Sequence, residues 1–267
     1  MEILSYIAFV IAGLLIALLG GGGSILIVPL LVYVFRLDIV TATAYSLLLL
    51  AISSSFASFD YFKRKLLDYK VFLLFGIPSI VSVYFTRTYF LRIVPAKVEW
   101  LNGQTIERSS LIMVLFAALM IVAGVSLIRK RKEKVQDEEH CAHCSLFNKF
   151  LLVLQGALVG FLTALVGAGG GFLIVPMLIL FAKMPVKKAI GTSLLLIFTQ
   201  SLVGFLSNVN GLEMDWQFLA GIVVLVLLGI AMGIRLSKRI EGAKLRPLFG
   251  YFVLLFSVVV LYKELYG

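Results

Sequence analysis

A fourteen-residue motif occurs twice in the chain, as LLGGGGSILIVPLL at 18–31 and as LVGAGGGFLIVPML at 165–178. Nine of the fourteen pairs are identical at a constant offset of 147 residues. Shared hydrophobicity alone does not produce that identity, so we interpret the two halves as copies. Because glycines interrupt apolar sequence in both, the motif predicts a broken helix in each half, which many membrane transporters use to build a central site.

The composition restricts the class of protein. Hydrophobic residues make up 61% of the 267 positions and charged residues only 14%, which predicts an integral membrane protein. The net charge of +10 comes from Lys and Arg between apolar stretches, so it indicates membrane topology, and no nucleic acid partner is expected. Cys141 and Cys144 share one loop, which excludes a disulfide framework across the fold.

Polar and helix-breaking residues divide the chain into ten apolar segments, five in each half. Two of them hold too few residues to cross a bilayer as straight helices, which need about 20. The expected organisation is an N-terminal transmembrane repeat at 1–128, a linker at 129–147 and a C-terminal transmembrane repeat at 148–267. The segments are 3–19, 24–35, 40–62, 69–92, 109–128, 148–167, 172–182, 186–207, 215–235 and 246–265.

The distribution of Lys and Arg predicts the orientation. If the basic run 129–134 is cytoplasmic, 18 of the 24 Lys and Arg residues lie on that side. Both termini are then outside a cell (inner) membrane, and 3–19 is a first span rather than a cleaved signal. Five segments per half invert the second copy. The predicted fold is an all-α polytopic membrane protein of two five-segment inverted-topology repeats, whose Gly-broken short helices meet near the membrane centre.

The glycine clusters, at 20–23 and at 167 and 169–171, should unwind the chain, since glycine costs about 1 kcal/mol relative to alanine in a helix. The short helices that follow begin at Ser24 and Gly171, and free N–H groups at such starts favour anions. Pro29 and Pro176 are predicted to kink them. The alternative is that the glycines only permit close helix packing.

The spans after the clusters carry sparse polar side chains. Ser46 and Ser53 are seven residues apart and project from one helix face, as do their repeat equivalents Ser193 and Gln200. Such hydroxyl and amide donors suit an oxyanion, and Thr192 and Ser201 are among further donors. Alternatively, each hydroxyl bonds the backbone of its own helix.

Acidic and basic side chains inside the spans are few. Apart from Asp215 and Glu264 at segment ends, Asp60 is the only acidic residue within a segment, where it caps a helix or pairs with Lys63 or Arg64. The absence of a buried carboxylate or histidine relay argues against a membrane hydrolase and a carboxylate-type proton pump. For Arg87 and Arg92 we prefer snorkelling to the interface over attraction of anions at an external vestibule.

Both histidines lie in the linker, within the sequence HCAHC at 140–144. Its four soft donors are too close together for a standard zinc site but could hold a metal with additional ligands from elsewhere. Solvated linker is the preferred interpretation, and neither a resident metal nor a cofactor is expected.

The motif GAGGGFLIVP at 167–176, with AIGTSL at 189–194 and a degenerate first copy of both, resembles the sulfite exporter TauE/SafE family, also called the toluene sulfonate uptake permeases. The resemblance covers essentially the whole chain and implies transport of small sulfur-containing anions, such as sulfite or organosulfonates like sulfoacetate, with export the usual direction. The thiosulfate-importing branch has intramembrane cysteines, which this chain lacks.

The resemblance also suggests site residues. Carried over residue by residue, the family motif implies roles for both glycine clusters and for hydroxyls of the helices that follow them. Ser53 and Gln200 are added because they are repeat equivalents and lie on the same helix faces as those hydroxyls. The first copy departs from the family pattern with Tyr45 where Thr192 stands. The predicted substrate-binding residues are Gly22, Gly23, Ser24, Ser46, Ser53, Gly169, Gly170, Gly171, Thr192, Ser193 and Gln200.

The predicted mechanism is alternating access, with an anion between the two glycine breaks and the lipid bilayer around the protein. The rivals are an anion channel, an importer of another small oxyanion or carboxylate, and a membrane enzyme or metal-responsive scaffold acting through 140–144. The sequence does not fix the oligomeric state, and a homodimer is one option.

Overall fold

The computed structural model describes residues 2–19, 23–90, 97–99, 105–107, parts of 114–128, 146–166, 171–180, 182, 184–207, 214–237 and 242–266. Most of these residues are helical, and two short helices are each flanked by longer ones. The helices are α1 (Glu2–Leu19), α2 (Ser24–Pro29, continued by a π-helical turn Leu30–Val34), α3 (Ile39–Lys63), α4 (Tyr69–Phe85, continued by a π-helical turn Thr86–Phe90), α5 (Leu146–Val166), α6 (Gly171–Leu180), α7 (Val186–Leu206), α8 (Trp216–Ser237) and α9 (Gly242–Tyr266).

One small sheet departs from the expectation of a purely helical chain. Strands β1 (Lys97–Glu99) and β2 (Thr105–Glu107) pair antiparallel after α4. Lys97 lies opposite Glu107 and Val98 opposite Ile106. An opposite-charge pair and a β-branched pair both stabilise such a ladder, so a part of the chain outside the ten predicted segments forms paired strands.

Four described helices are long and apolar enough to cross a membrane: Ile39–Lys63, Tyr69–Tyr89, Val186–Leu206 and Trp216–Ser237. The described residues also expose many large apolar side chains, among them Phe56, Phe59, Ile77, Leu228 and Leu255. An apolar surface on this scale is unusual for a soluble monomer, whereas lipid covers it at no cost.

Helices α3 and α7 form the centre of the fold. In their most apolar stretches 61% and 67% of the residues are buried, against 33% in α4 and in α8. Gly191 on α7 faces Tyr61 near the end of α3, and Gly204 at the end of α7 faces Leu47 near the start of α3. The two helices therefore pack antiparallel.

The surrounding helices pack reciprocally between the halves of the chain. Helix α1 packs against α8, and its repeat equivalent α5 packs against α4. A Cβ at Gly13 would overlap the carbonyl oxygen of Val226, and one at Gly160 would overlap that of Ser79. These two contacts are equivalent at the offset of 147 residues. Helix α1 of the first half therefore packs against α8 of the second half, and α5 of the second half packs against α4 of the first.

The chain reverses direction between α1 and α2. A Cβ on Gly23 would overlap the carbonyl oxygen of Ala12 and lie 2.7 Å from the backbone nitrogen of Ile16. At the other end of the short helix, the Phe35 ring lies 5.8 Å from that of Phe9. Helix α2 thus runs back along α1, and Gly23 is needed because only a residue without a side chain fits there.

The short helices end in matching ways. The Leu37 N–H donates to the Leu31 carbonyl, and the equivalent Met184 N–H donates to the Leu178 carbonyl. The predicted distortion at the first proline is present as a π-helical turn that starts directly after Pro29, because proline lacks an N–H and displaces the carbonyl four residues earlier. Pro176 lies inside α6.

We expect the close contacts to be sensitive to a single methyl group. On α8, Gly229→Ala would press a Cβ into the carbonyl oxygen of Val10, whereas Gly221→Ala meets nothing within 4 Å. Overpacking typically costs about 1–3 kcal/mol, whereas alanine in open helix gains up to about 1 kcal/mol over glycine. Thermal unfolding in detergent should show a lower midpoint for Gly229→Ala only; equal midpoints would contradict the α1–α8 packing.

Candidate functional site

Two hydrogen bonds join the halves at opposite ends of the α3–α7 pair. The Asp68 backbone N–H donates to Thr192 Oγ1 at 3.0 Å, and the Asp215 backbone N–H donates to Tyr45 Oη at 2.7 Å. Asp68 and Asp215 are repeat equivalents, and so are Tyr45 and Thr192. The tyrosine that departs from the motif therefore makes the same bond between halves as the threonine, and we call these two bonds the reciprocal latches.

Both aspartates also start a helix with their side chains. Asp68 Oδ1 accepts from the N–H groups of Lys70 and Val71, at 3.0 and 3.1 Å. Asp215 Oδ1 accepts from the Phe218 N–H at 3.0 Å. The carboxylates therefore satisfy the first turns of α4 and α8, while the N–H of each aspartate donates to the opposite half.

Of the predicted glycines, the structure describes two. Gly23 is the N-cap of α2 and is buried against α1, and Gly171 is the buried first residue of α6. Helices α2 and α6 contact each other. Gly22, Gly169 and Gly170 lie outside the described residues.

Three of the predicted hydroxyls donate to their own helix. Ser46 Oγ donates to the Thr43 carbonyl at 2.8 Å, and Ser193 Oγ donates to the Ile190 carbonyl at 2.8 Å. Ser53 Oγ donates to the Leu50 carbonyl at 3.3 Å. These hydroxyls therefore bond the backbone of their own helix, as the alternative interpretation of the sequence expected. Each bond reaches the carbonyl three residues earlier in the chain.

The antiparallel register separates Ser46 from Ser193, the pair that the sequence favoured most. Ser46 lies at the level of the end of α7, whereas Ser193 lies in its second turn, roughly 20 Å away along the axis at 1.5 Å per residue. The register instead brings Ser53 and Gln200 to nearly the same level, close to the middle of both helices.

Gln200 links α7 to α4 in the interior. Its Nε2 donates to Ser79 Oγ at 2.7 Å, and Ser79 lies against Gly160 of α5. The amide Oε1 is buried without a hydrogen-bond partner. A rotated amide is equally well satisfied, since the Ser79 hydroxyl can then donate to Oε1 while Nε2 becomes the unpaired group.

Two serine hydroxyls are also unpaired. Ser24 and Ser201 are both fully buried, and their Oγ atoms have no hydrogen-bond partner. A buried polar atom without a partner costs about 1–3 kcal/mol, so such groups suggest a ligand or water that completes them. Ser24 is among the predicted site residues, and Ser201 is the next residue after Gln200.

The charged residues give one confirmation and one correction. Asp60 forms an ion pair with Arg64, one of its two predicted partners. Arg87, expected to snorkel to the interface, is instead buried with 3% of its surface exposed. Among the residues that the structure describes, no group of His, Cys, Asp and Glu could hold a metal ion; the 140–144 sequence and Arg92 lie outside them.

Sequence reasoning missed the role of Ser79 and of the aspartate N–H groups. A signal for the latter was present, because Asp68-Tyr69 and Asp215-Trp216 align at the offset of 147. Ser79 had no such signal, since its equivalent is Val226 and only packing against α7 reveals its contact with Gln200.

Comparison with known proteins agrees with this architecture. The family model of the sulfite exporter TauE/SafE matches residues 5–260. The chain belongs to this family. A "Probable membrane transporter protein" of Xylella fastidiosa (strain 9a5c) is 28% identical over 95% of this chain and 92% of the relative.

Relatives of this chain also occur in other organisms. The "Probable membrane transporter protein YunE" of Bacillus subtilis (strain 168) is 24% identical over 99% of this chain and over its own full length. One of Methanocaldococcus jannaschii is 26% identical over 88% and 86%, respectively. No solved structure matches this TauE/SafE protein significantly.

Removing a latch should destabilise the protein. Thr192→Val leaves the half-buried Asp68 N–H without its acceptor in the protein, which should cost about 0.5–1.5 kcal/mol and lower the midpoint of thermal unfolding. Thr199→Val is the matched control on α7, because its hydroxyl donates only to carbonyls of its own helix, those of Leu195 and Leu196. Equal midpoints for the two variants would refute the latch.

Proposed function

We propose that this TauE/SafE protein is a carrier that exports small sulfur-containing anions, such as sulfite or organosulfonates like sulfoacetate, by alternating access. The observation that carries the proposal is a buried set of unpaired polar atoms: Ser24 Oγ, Ser201 Oγ and the end of the Gln200 amide that does not bond Ser79. Hydroxyl and amide groups in a dry interior can replace the hydration of an oxyanion, and both halves of the chain contribute them.

The charge of the interior also favours an anion. In α3, α4, α7 and α8, the four described spans, Asp60 is the only acidic side chain, and it is neutralised by Arg64. A cation carrier would be expected to have a buried carboxylate there. Membrane potential then assists export, since each negative charge leaving a negative interior gains about 2.3 kcal/mol per 100 mV.

The reciprocal packing supports the inverted-repeat part of the proposal. Contacts of the first half with the second recur with the roles exchanged, as the latches and the Gly13 and Gly160 contacts illustrate. Such exchange is expected of two units related by a two-fold axis. With the orientation proposed from Lys and Arg, both termini outside and 129–147 cytoplasmic, that axis lies in the membrane plane and 1–128 and 148–267 are the repeats.

The same packing suggests how access alternates. In the proposed orientation the Tyr45–Asp215 latch closes the outer side and the Thr192–Asp68 latch closes the inner side. Both bonds are present in the structure, as the proposal expects of a state that is closed on both sides. Breaking one latch opens a path to one side while the other latch stays closed, as a carrier requires and a channel does not.

A transport assay tests the proposal directly. Proteoliposomes loaded with unlabelled sulfite should accumulate labelled sulfite by saturable counterflow, and Ser24→Ala should reduce the exchange rate at least fivefold. Ser257→Ala is the control, because this buried hydroxyl donates to the Leu254 carbonyl within α9. Single-channel currents without counterflow would establish the rival anion channel, and exchange of carboxylates alone would establish a different substrate.

The latches should bias the two access states in opposite directions. A cysteine introduced as Ser24→Cys, with Cys141 and Cys144 replaced by Ser, reports access through its reaction with a membrane-impermeant thiol reagent. Tyr45→Phe should increase labelling from outside, and Thr192→Val should increase labelling from inside. Increased labelling from both sides in either variant would contradict alternating access.

Transport rather than catalysis is the activity that we infer. The family and its relatives are described as membrane transporters, and the described residues contain no His, Cys, Asp and Glu group suited to a metal. An enzyme or metal-responsive scaffold acting through 140–144 predicts that replacing His140, Cys141, His143 and Cys144 abolishes transport. The carrier predicts that sulfite exchange persists in that variant.

A further inference from the structure

Helices α4 and α7 run parallel through the interior and are joined there by a pair of buried polar side chains. Gly76 of α4 lies against Leu196 of α7, and roughly one turn further along both helices Gln200 Nε2 donates to Ser79 Oγ at 2.7 Å. Ser79 is 0% exposed and Gln200 is 2% exposed. The bond therefore lies in a dry part of the protein, where a polar group is stable only when it has a partner.

The repeat-equivalent helices, α8 and α3, have no such bond at the equivalent positions. The equivalent of Ser79 is Val226, and that of Gln200 is Ser53, whose Oγ donates to the Leu50 carbonyl of its own helix. Val226 packs against α1 in the same way that Ser79 packs against α5. Because a valine satisfies the helix packing there, packing alone does not account for the hydroxyl of Ser79.

The two ends of the Gln200 amide have opposite hydrogen-bonding character, because Oε1 accepts and Nε2 donates. The Ser79 hydroxyl can bond either end, since a hydroxyl both accepts and donates. The end that does not bond Ser79 is buried and unpaired. If Ser79 accepts from Nε2, the free end is an acceptor, which repels an anion. If Ser79 donates to Oε1, the free end carries the N–H donors that an anion requires.

We propose that Ser79 is a positioning residue for the transported anion: it donates its proton to Gln200 Oε1 and so holds the amide N–H groups toward the ligand. The inference rests on the proposed transport function and adds Ser79 to it. The resulting chain of hydrogen bonds runs from the Ser79 hydroxyl through the amide to an oxygen of the anion, and each bond in such a chain polarises the next. The anion binds only one of the two amide orientations, so its binding shifts the amide to that orientation.

Sulfite binding to the purified protein, followed by calorimetry at constant ionic strength, tests this role. Ser79→Ala should raise the Kd for sulfite about fivefold, the change expected from the loss of one ordinary hydrogen bond. Thr86→Val is the matched control on α4, because the Thr86 hydroxyl donates to the Ser82 carbonyl within the same stretch of helix, and it should leave the Kd unchanged. An unchanged Kd in Ser79→Ala would overturn the proposal.

Counterflow in proteoliposomes separates positioning of the anion from a structural role. Ser79→Ala should raise the half-saturating sulfite concentration by the same factor as the Kd and leave the maximal exchange rate largely unchanged, because the anion is still carried once it has bound. A lower maximal rate at an unchanged half-saturating concentration would show that Ser79 supports the fold or the conformational change instead. That result would also overturn the proposal.

A double-mutant cycle tests whether Ser79 acts through Gln200. Gln200→Leu removes the amide while keeping a similar volume, so it should itself raise the Kd for sulfite, and Ser79→Ala should then have no further effect. If Ser79→Ala raised the Kd by the same factor in both backgrounds, Ser79 would act independently of the amide and the proposal would be wrong. If Gln200→Leu binds no sulfite, the counterflow measurement decides.

Ser79→Cys covers the case in which Ser79→Ala does not fold. A thiol occupies the same position but is a weak donor, so this variant should also raise the Kd for sulfite, and an unchanged Kd would again contradict the positioning role. Failure of the wild-type protein to bind or exchange any sulfur oxyanion would instead refute the transport function.

Discussion

Each half of this protein donates the backbone N–H of a helix-capping aspartate to a hydroxyl of the other half, Asp68 to Thr192 and Asp215 to Tyr45. In a bilayer, a backbone N–H must find its acceptor within the protein, so these bonds fix how the two halves meet. They hold the ends of the antiparallel α3–α7 pair, and α4 and α8 begin directly at the same aspartates. The remaining helices pack around that frame.

Glycine makes the frame compact. At Gly13, Gly23, Gly160 and Gly229 a side chain would overlap a neighbouring backbone carbonyl, so close helix packing, the simpler reading of the glycines, applies at these positions. It does not exclude the broken-helix reading. Gly23 agrees with both interpretations, because it starts α2 and packs that start against α1. Close approach also leaves little room for water, which makes each unpaired polar atom in the interior costly.

The two halves are alike in packing and different in chemistry. Tyr45 and Thr192 make equivalent bonds with different side chains, whereas Ser24 corresponds to Gly171 and Arg87 to Ile234. Packing constrains shape and allows polar groups to vary between equivalent sites. In the proposed carrier, an anion held between the two halves would contact hydroxyls and an amide in an unsymmetrical arrangement.

The sequence by itself determined the membrane class, the duplication, the family, and the bounds of most helices to within a few residues, because hydropathy, glycine breaks and a constant offset are local signals. Only the tertiary structure decided which polar groups meet: the antiparallel register of α3 and α7 separates Ser46 from Ser193 and brings Ser53 level with Gln200. It also decided that Gln200 bonds Ser79 and that Arg87 faces inward. The physical reason is that one helix's periodicity defines its faces, whereas the register between helices depends on where side chains allow two backbones to touch.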